Sequence, residues 1–437
     1  MTLSLSRRGF LRTAAAALAA PYIVPASVLG KAADKPAPSN VITLGCIGVG
    51  RMGRDDMKTF LGLACRVVAV CDVDSKRLVN AKEIVDKFYA AKDGATAAGG
   101  CAALKDFRDL LARPDVDAVS IVTPDHWHCL NAIAAAQAGK DIFLQKPVSY
   151  SVAEGRAMAD AVARYGRVFQ TGSQLRSDSR FRLASELVRN GRIGKLHTAT
   201  VFLEVDPACK VQPPMPVPEN LDYDFWLGPA PWAPYTEERV HPQNGYGRPG
   251  WLRMDDYCGG MLTGWGTHDI DQAQWGMDTE ATGPVTLEGR GEFPADGLWD
   301  VHGKFRVDCT YSNGLKLAVR HGSSDVLFEG TDGWVRVNRS RIDAGPKSLL
   351  RETIGPTEMH LYVSNNHKAN FLECIRTRQP CVAPAETGHR SATICHLCNI
   401  ALKTQRPLRW DPAAERFVGD DEANRYLARP MRGPWAI

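Results

Sequence analysis

The sequence predicts a two-domain α/β protein. An N-terminal doubly wound parallel sheet precedes a C-terminal α+β domain with a large, mainly antiparallel sheet. The chain has 437 residues, more than one hydrophobic core usually organises. Apolar strand patterns alternate with helical patterns from residue 41, and alternating strand patterns replace them after residue 195. We therefore expect one domain at residues 40–165 and a second at residues 166–437.

The first domain is predicted from strands and helices that alternate along the chain. The strands are nearly continuous in valine, isoleucine and alanine, which is typical of parallel strands covered by helices on both faces. Right-handed crossovers between such strands give a doubly wound sheet. In chain order the segments are VITLGCIGVG, RMGRDDMKTFLGL, CRVVAVCDVD, KRLVNAKEIVDKFYAAK, DVDAVSIVTP, HWHCLNAIAAAQAGK and DIFLQKPV.

The second domain is predicted from alternating strand patterns and two late helices. Loops rich in proline and glycine separate the strands, most clearly at residues 207–249. The strand segments are KLHTATVFLEV, PVTLEGRGEF, HGKFRVDCTYSNGLKLAVRHG and SSDVLFEGTDGWVRVN, and the helices are NNHKANFLECIRT and GHRSATICHLCNIALK.

Composition excludes two classes of protein. Hydrophobic residues make up 44% and charged residues 23%, the balance of an ordinary globular protein. The net charge of +4 includes Arg7, Arg8 and Arg12, and no basic stripe follows, so we expect no nucleic-acid partner. Apolar stretches after residue 30 are too short to span a bilayer, so we expect no stable membrane anchor.

The first residues have the layout of a removable export signal. The paired arginines of SRRGFL, at residues 6–11, precede a weakly hydrophobic alanine-rich run and then small residues. This arrangement resembles a twin-arginine signal, and a disordered tail is the alternative. We expect a signal peptide and lead-in at residues 1–34, export by the twin-arginine machinery, and a periplasmic protein.

The cysteine pattern predicts buried thiols. The chain has 12 cysteines, scattered through apolar runs as small buried hydrophobes. The twin-arginine route carries folded proteins from the reducing cytoplasm, which weakens the usual inference of disulfides. The CHLC motif lies near His389 but has helical apolar spacing and no second ligand pair, so we predict a core helix and no metal site.

A glycine-rich turn predicts a dinucleotide site. Gly48, Gly50 and Gly53 follow a strand and open a helix, the context of the Gly-x-Gly-x-x-Gly turn of a Rossmann domain. A dinucleotide pyrophosphate binds at such a helix N-terminus, where backbone N–H groups are free. Arg51 and Met52 lie inside the turn and are expected to contact the cofactor.

The end of the second strand favours NAD. Asp72 lies about 20 residues after the turn, where a carboxylate binds the ribose hydroxyls of the cofactor. The same carboxylate repels a 2′-phosphate. Ser75, Lys76 and Arg77 follow closely and can accommodate that phosphate, so NADP stays open as an alternative.

Further motifs resemble the glucose–fructose oxidoreductase and inositol dehydrogenase family (Gfo/Idh/MocA). They are TPDHWH at residues 123–128, QKP at residues 145–147 and GGMLTGWGTHDID at residues 259–271. The resemblance implies cofactor contacts from Thr123, Pro124, His128, Gln145 and Lys146. It also implies a homo-oligomer.

The resemblance implies two catalytic residues. Lys146 would orient the substrate hydroxyl and lower its pKa, and His268 would be the general acid/base. The alternatives are a surface lysine and a structural histidine. Gln145 replaces the glutamate usual in the family, and Gly264 replaces an aspartate often found four residues before the histidine. Asp269 and Asp271 are candidates to orient His268 instead.

Aromatic and polar residues of the second domain are candidate sugar ligands. Arg253, Tyr257, Trp265 and His268 are predicted to bind substrate, since aromatic rings stack on sugar faces and polar groups bind hydroxyls. Trp226 and Trp251 are weaker candidates, and the segment FWLGP that contains Trp226 reads as a structural turn.

We therefore expect an exported NAD(P)-dependent oxidoreductase that acts on a hydroxyl of a sugar, glycoside or polyol. Export favours a tightly bound cofactor. A second substrate or a redox partner must then return this cofactor to its starting redox state. A redox-neutral NAD-dependent glycosidase or lyase, which works by transient oxidation and elimination, is the first alternative. A non-catalytic sugar-binding homologue is the second.

Overall fold

The computed structural model describes residues 41–93 and 100–437. Residues Thr43–Ile437 form one compact unit. The predicted export signal at residues 1–34 lies outside the described residues. Among the described residues, no helix is both long and apolar enough to cross a membrane.

The N-terminal sheet is parallel and doubly wound, as predicted. Its strand order is β3-β2-β1-β4-β5-β6. Strands β1 to β3 are added towards one edge of the sheet and strands β4 to β6 towards the other, so the direction of strand addition switches between β1 and β4. Ligands of such sheets bind at the carboxyl ends of the strands beside this reversal. The strands are β1 Ile42–Ile47, β2 Cys65–Cys71, β3 Ala102–Leu104, β4 Ala118–Ile121, β5 Asp141–Leu144 and β6 Phe169–Thr171.

Helices cover this sheet, and side-chain caps fix where two of them begin. Asp106 accepts a hydrogen bond from the Arg108 N–H, and Ser151 accepts one from the Glu154 N–H. Each cap satisfies a free backbone donor and contributes about 1 kcal/mol. The helices are α1 Arg51–Leu61, α2 Ser75–Asp93, α3 Phe107–Leu111, α4 Asp125–Gln137 and α5 Val152–Arg164.

The C-terminal sheet has nine strands among the described residues, in the order β13-β12-β11-β7-β10-β9-β8-β14-β15. Only the β7–β10 pair is parallel, which confirms a mainly antiparallel sheet. The strands are β7 Leu196–Leu203, β8 Thr286–Gly291, β9 Phe305–Thr310, β10 Lys316–His321, β11 Asp325–Gly330, β12 Trp334–Val337, β13 Ile342–Gly345, β14 Leu408–Asp411 and β15 Arg416–Phe417.

Helices pack on the face of this sheet that carries buried side chains such as Val307 and Cys309, which alternate along β9. The remaining helices are α6 Ser179–Arg189, α7 Tyr223–Leu227, α8 Gly260–Gly264, α9 Gly266–Met277, α10 His367–Thr377, α11 Ala385–Thr404 and α12 Asp421–Arg425.

Helix α11 joins the two hydrophobic cores. Ala392 packs with the first-domain core, whereas Ile394, Leu397 and Cys398 pack with the second. The CHLC motif therefore lies in a core helix, as predicted. Among the described residues, no group of three or more histidine, cysteine, aspartate or glutamate side chains is arranged to hold a metal ion.

The predicted domain boundary falls close to the last parallel strand. β6 at Phe169–Thr171 pairs with β5, so the sheet continues past residue 165. The boundary itself stays a prediction.

Candidate active site

A cavity of about 360 Å³ lies at the carboxyl ends of the parallel strands. All but one of the residues predicted to bind the cofactor form one wall of this cavity. The exception is Gly53, which does not line it. These lining residues are Gly48, Gly50, Arg51, Met52, Asp72, Thr123, Pro124, His128, Gln145 and Lys146. The C-terminal domain supplies the opposite wall.

The glycine turn is shaped to accept a phosphate group. A methyl group at Gly53 would lie 1.9 Å from the Gly48 carbonyl oxygen, so Gly53 allows the helix to approach the strand. A methyl group at Gly50 would meet nothing within 4 Å, so the space above this residue is open. No described side chain caps α1, and its first turn has no acidic residue. The turn therefore fits the pyrophosphate of a dinucleotide.

Asp72 is held at the end of β2 by backbone groups. Its carboxylate accepts hydrogen bonds from the Val49 N–H and the Asp74 N–H, both at 2.9 Å. Burial raises the pKa of Asp72, although both N–H groups oppose this shift. The side chain lines the cavity and is positioned to meet ribose hydroxyls.

A segment of the second domain covers the cavity beyond Asp72. The His241 Nε2 atom lies 2.9 Å from the Asp74 carboxylate, and Arg77 donates to the Pro242 carbonyl oxygen at 2.9 Å. The Arg54 guanidinium stacks on the Tyr246 ring at 3.5 Å. We call residues 220–246 the cover segment. The sequence signalled it only as a loop rich in proline and glycine.

Lys146 lies at the other end of the cavity. Its ammonium group donates a hydrogen bond to the Gly264 carbonyl oxygen at 2.5 Å. Burial lowers the pKa of Lys146, while the Asp125 carboxyl and the Cys258 thiol oppose the shift. The neighbouring Gln145 donates to the Asp56 carboxylate at 2.6 Å. Lys146 is therefore a half-buried cation held against the second domain.

His128 is buried and bonded to the backbone around Lys146. Its ring nitrogens lie 2.5 Å from the Pro147 carbonyl oxygen and 2.8 Å from that of Thr123. Burial lowers the pKa of His128 to about 4, and the hydrogen bonds to the two carbonyl oxygens oppose this shift. The side chain thus braces the Thr123 turn against the Lys146 turn.

His268 lies behind the cavity wall. Its Nδ1 atom is buried and has no hydrogen-bond partner among the described residues. Burial first, and then Lys146 and Arg339, lower the pKa of His268 well below its ordinary value. Neither candidate aspartate orients the ring. Asp269 accepts a hydrogen bond from Ser324, and Asp271 pairs with Arg176.

Of the predicted substrate-binding residues, Trp265 alone lies in the cavity lining. Tyr257 is fully buried because its ring packs against Trp226 at 5.0 Å. The Arg253 side chain is held by the Asp206 carboxylate at 3.3 Å. The structure therefore does not bring Arg253, Tyr257 or His268 to the cavity wall.

Several lining residues were not predicted as site residues. Trp226 and Trp251, the weaker candidates, line the cavity, and so does Phe225, since FWLGP begins within α7 rather than forming a simple turn. Asp125 is the other unpredicted residue of chemical interest. Its position inside TPDHWH, directly after the Thr-Pro pair, was the available signal.

Comparison with known families decides the classification. Residues 42–173 match the model described as the oxidoreductase family's NAD-binding Rossmann fold, and residues 208–437 match its C-terminal alpha/beta domain. The chain belongs to the Gfo/Idh/MocA oxidoreductase family. Its N-terminal domain is accordingly an NAD-binding Rossmann domain, as the glycine turn and Asp72 predicted.

Individual members of the Gfo/Idh/MocA family align over different lengths. The uncharacterized oxidoreductase YrbE of Bacillus subtilis is 30% identical over 392 residues, which cover 84% of this chain and 96% of YrbE. A glycosyl hydrolase family 109 protein of Shewanella baltica is 28% identical over 211 residues, 44% of each chain.

A solved structure shares the fold of this Gfo/Idh/MocA chain. The crystal structure of scyllo-inositol dehydrogenase from Lactobacillus casei, with bound NAD(H) and scyllo-inositol, matches with a TM-score of 0.59 and 17% identity. The match covers 84% of this chain and 99% of the other.

Proposed function

We propose that the protein is an NAD-dependent oxidoreductase that acts on a hydroxyl group of a sugar, polyol or glycoside. One observation carries the proposal: a single cavity has the open glycine turn and Asp72 at one end and the half-buried Lys146 at the other. NAD, when bound, accepts a hydride from the carbon that bears the hydroxyl. NADP stays an alternative because Arg77 lines the same cavity as Asp72.

The chain's own residues would bind and polarise the substrate. The Lys146 ammonium would donate a hydrogen bond to the reacting oxygen, which gains negative charge as the hydride leaves. Trp265 and Trp251 give this part of the cavity aromatic faces on which a sugar ring can stack. His268 stays a predicted acid/base group, one that needs a movement of the wall to reach substrate.

We further propose that the nucleotide is held tightly. The contacts of His241, Pro242 and Tyr246 with the first domain would have to open before the adenosine end could leave. A retained cofactor suits export in the folded state, because the periplasm does not supply NAD. Each cycle would then reset the nucleotide through a second substrate or a redox partner.

Export by the twin-arginine machinery is part of the same proposal. It rests on SRRGFL and the apolar run after it. Replacing both Arg7 and Arg8 with lysine should leave the protein in the cytoplasm, measured by cell fractionation. Periplasmic accumulation of this variant would contradict the twin-arginine route. The homo-oligomer implied by the family would be measured as molar mass in solution.

A redox-neutral glycosidase is the second candidate. Two observations favour it: Gly264 replaces the carboxylate of typical sugar dehydrogenases, and a relative is named as a glycosyl hydrolase family 109 protein. In this reaction the hydroxyl is oxidised, the aglycone is eliminated, water adds, and the hydride returns to the sugar.

Product analysis separates the candidates. A panel of polyols and nitrophenyl glycosides should give a ketone and reduced nicotinamide in equal amounts if the protein is a dehydrogenase. Release of aglycone without net reduction would identify the glycosidase. Lys146→Met is the matched control and should abolish either reaction. A wild-type protein that binds sugars without turnover would be the non-catalytic homologue.

A further inference from the structure

Asp125 is an acidic residue of the cavity to which the sequence assigned no role. It is the first residue of α4 and follows the Thr-Pro pair at the end of β4. Its side chain lines the same cavity as Lys146, yet the residue is only 3% exposed. A buried carboxyl group facing a cavity is costly unless something there uses it.

One oxygen of this carboxyl group is unpartnered. The Asp125 Oδ2 atom is buried and has no hydrogen-bond partner among the described residues. Native proteins rarely leave buried polar atoms unpaired, and on a cavity wall such an oxygen is free to accept a proton or a hydrogen bond from a bound group. The Cys258 thiol hydrogen-bonds to the Asp125 carboxyl group.

The charges around Asp125 favour exchange of a proton near neutral pH. Burial raises the pKa of Asp125 to about 7, and the Lys146 ammonium opposes the shift. The histidines of the same helix do not compete for the proton, because burial lowers the pKa of His126 to about 3 and of His128 to about 4. His268 behaves in the same way.

Gly264 stands where the family often has an aspartate, so the reaction needs a carboxyl group from another position. The Gly264 carbonyl oxygen binds Lys146, and this glycine lines the cavity. A Cβ atom at residue 264 would meet nothing within 4 Å, so the place of the usual family aspartate is open space. Asp125 also lines the cavity, and its carboxyl group is the one that interacts with the Lys146 ammonium.

We propose that Asp125 is the proton acceptor of the reaction, in place of a carboxylate at position 264. This inference rests on the proposed function. The substrate O–H bond breaks and its proton goes to the Asp125 carboxylate, while the C–H bond breaks and its electron pair leaves as hydride to NAD. The products are a carbonyl compound, NADH and protonated Asp125, which returns its proton to water after product release.

The test compares Asp125→Asn with Asp125→Glu in the full chain. The asparagine variant should lose about 10²- to 10⁴-fold in kcat, as expected for a lost general base, with NAD affinity within about threefold of the wild type. The acidic limb of its kcat/KM profile near pH 7 should disappear. The glutamate variant should recover part of the loss. Asp256→Asn removes a carboxyl group outside the lining and is the matched control.

Rescue from the opposite wall gives a second test. Adding Gly264→Asp to Asp125→Asn restores a carboxylate beside Lys146 and should recover at least about tenfold in kcat. Wild-type turnover by Asp125→Asn with its acidic limb intact would overturn the inference. So would a double variant no faster than Asp125→Asn whose NAD affinity and melting temperature match those of that single variant.

Infrared titration separates failure of the inference from failure of the proposed function. A wild-type protein that reduces no nicotinamide with any substrate contradicts the proposed function. The protonated-carboxyl band is then compared between the wild type and Asp125→Asn, because burial also raises the pKa of Asp269 to about 7. A component near pH 7 that is present in the wild type and lost in Asp125→Asn supports the proton-holding role, and identical bands in the two proteins overturn it.

Discussion

Alanine substitutions at two glycines of the same turn should have opposite effects. A methyl group at Gly53 would lie 1.9 Å from the Gly48 carbonyl oxygen and 3.3 Å from the Val122 Cβ atom. The helix must then move away from the strand, a backbone shift that costs about 1–3 kcal/mol. Gly53→Ala should therefore lower the free energy of unfolding of the nucleotide-free protein by that amount, measured in urea.

Gly50→Ala should instead preserve stability and impair nucleotide binding. Its methyl group would meet nothing within 4 Å, and its φ of −67° lies outside the left-handed region, so we expect little change in stability. The same methyl group would occupy the space where the pyrophosphate approaches the backbone, so NAD affinity should fall at least about tenfold, or 1.4 kcal/mol. Calorimetric titration with NAD measures this loss.

Unchanged NAD affinity in Gly50→Ala would refute the placement of the pyrophosphate over this turn. Unchanged stability in Gly53→Ala would refute the tight helix–strand contact. The two variants act as controls for each other, because they add the same methyl group within one turn.

Three further predictions follow from the described contacts. Lys146→Met should abolish turnover but keep NAD affinity, measured by kinetics and calorimetry, since the phosphate end of the cavity is unchanged. Tyr246→Ala removes the ring under Arg54 and should speed nucleotide release by about three- to tenfold in stopped-flow fluorescence, the worth of a partly exposed cation–π contact. Burial raises the pKa of Asp125 to about 7, so the folded state binds this proton more tightly than the unfolded state. The resulting stability is present below about pH 4 and is lost as the pH rises towards 7, and Asp125→Asn should flatten that part of the urea-stability profile.

Each of these predictions can fail. Turnover by Lys146→Met would remove the lysine from the mechanism, and unchanged nucleotide release from Tyr246→Ala would show that the cover segment does not retain the cofactor. An unaltered pH dependence of stability in Asp125→Asn would place the titrating group elsewhere, with Asp269 as the next candidate because burial also raises its pKa to about 7.

Local sequence patterns predicted the fold well. The strands of the first domain carry continuous apolar runs, and its long helices carry helical apolar spacing. The structure contains these predicted strands and helices. β3 at Ala102–Leu104 and α3 at Phe107–Leu111 were not predicted, because such short elements contain too few residues to show a period.

The cofactor end of the site was predictable because its residues are local. Gly48, Gly50 and Asp72 lie at fixed distances from strand ends, and the geometry of one β–α–β unit brings them together. The substrate end depends on how the second domain packs. Whether Tyr257 faces a cavity or the cluster around Trp226 is decided by contacts distant in sequence, which spacing does not encode.

Asp125 shows the same limit. Its place in TPDHWH is visible in the sequence. That Asp125, Lys146 and Gly264 line one cavity is visible only in the folded structure, because the two walls come from different domains. The cover segment is similar, since its ion pair with Asp74 joins residues far apart in the chain.

The most direct test of the central claim is the nucleotide content of the full chain, expressed with residues 1–34 intact and then purified. We predict stoichiometric NAD, released on denaturation, which becomes reduced in the folded protein when a suitable sugar, polyol or glycoside is added. The reduced-nicotinamide absorbance follows this step. Protein that carries no nucleotide, and that neither binds nor reduces added NAD or NADP, would contradict the account.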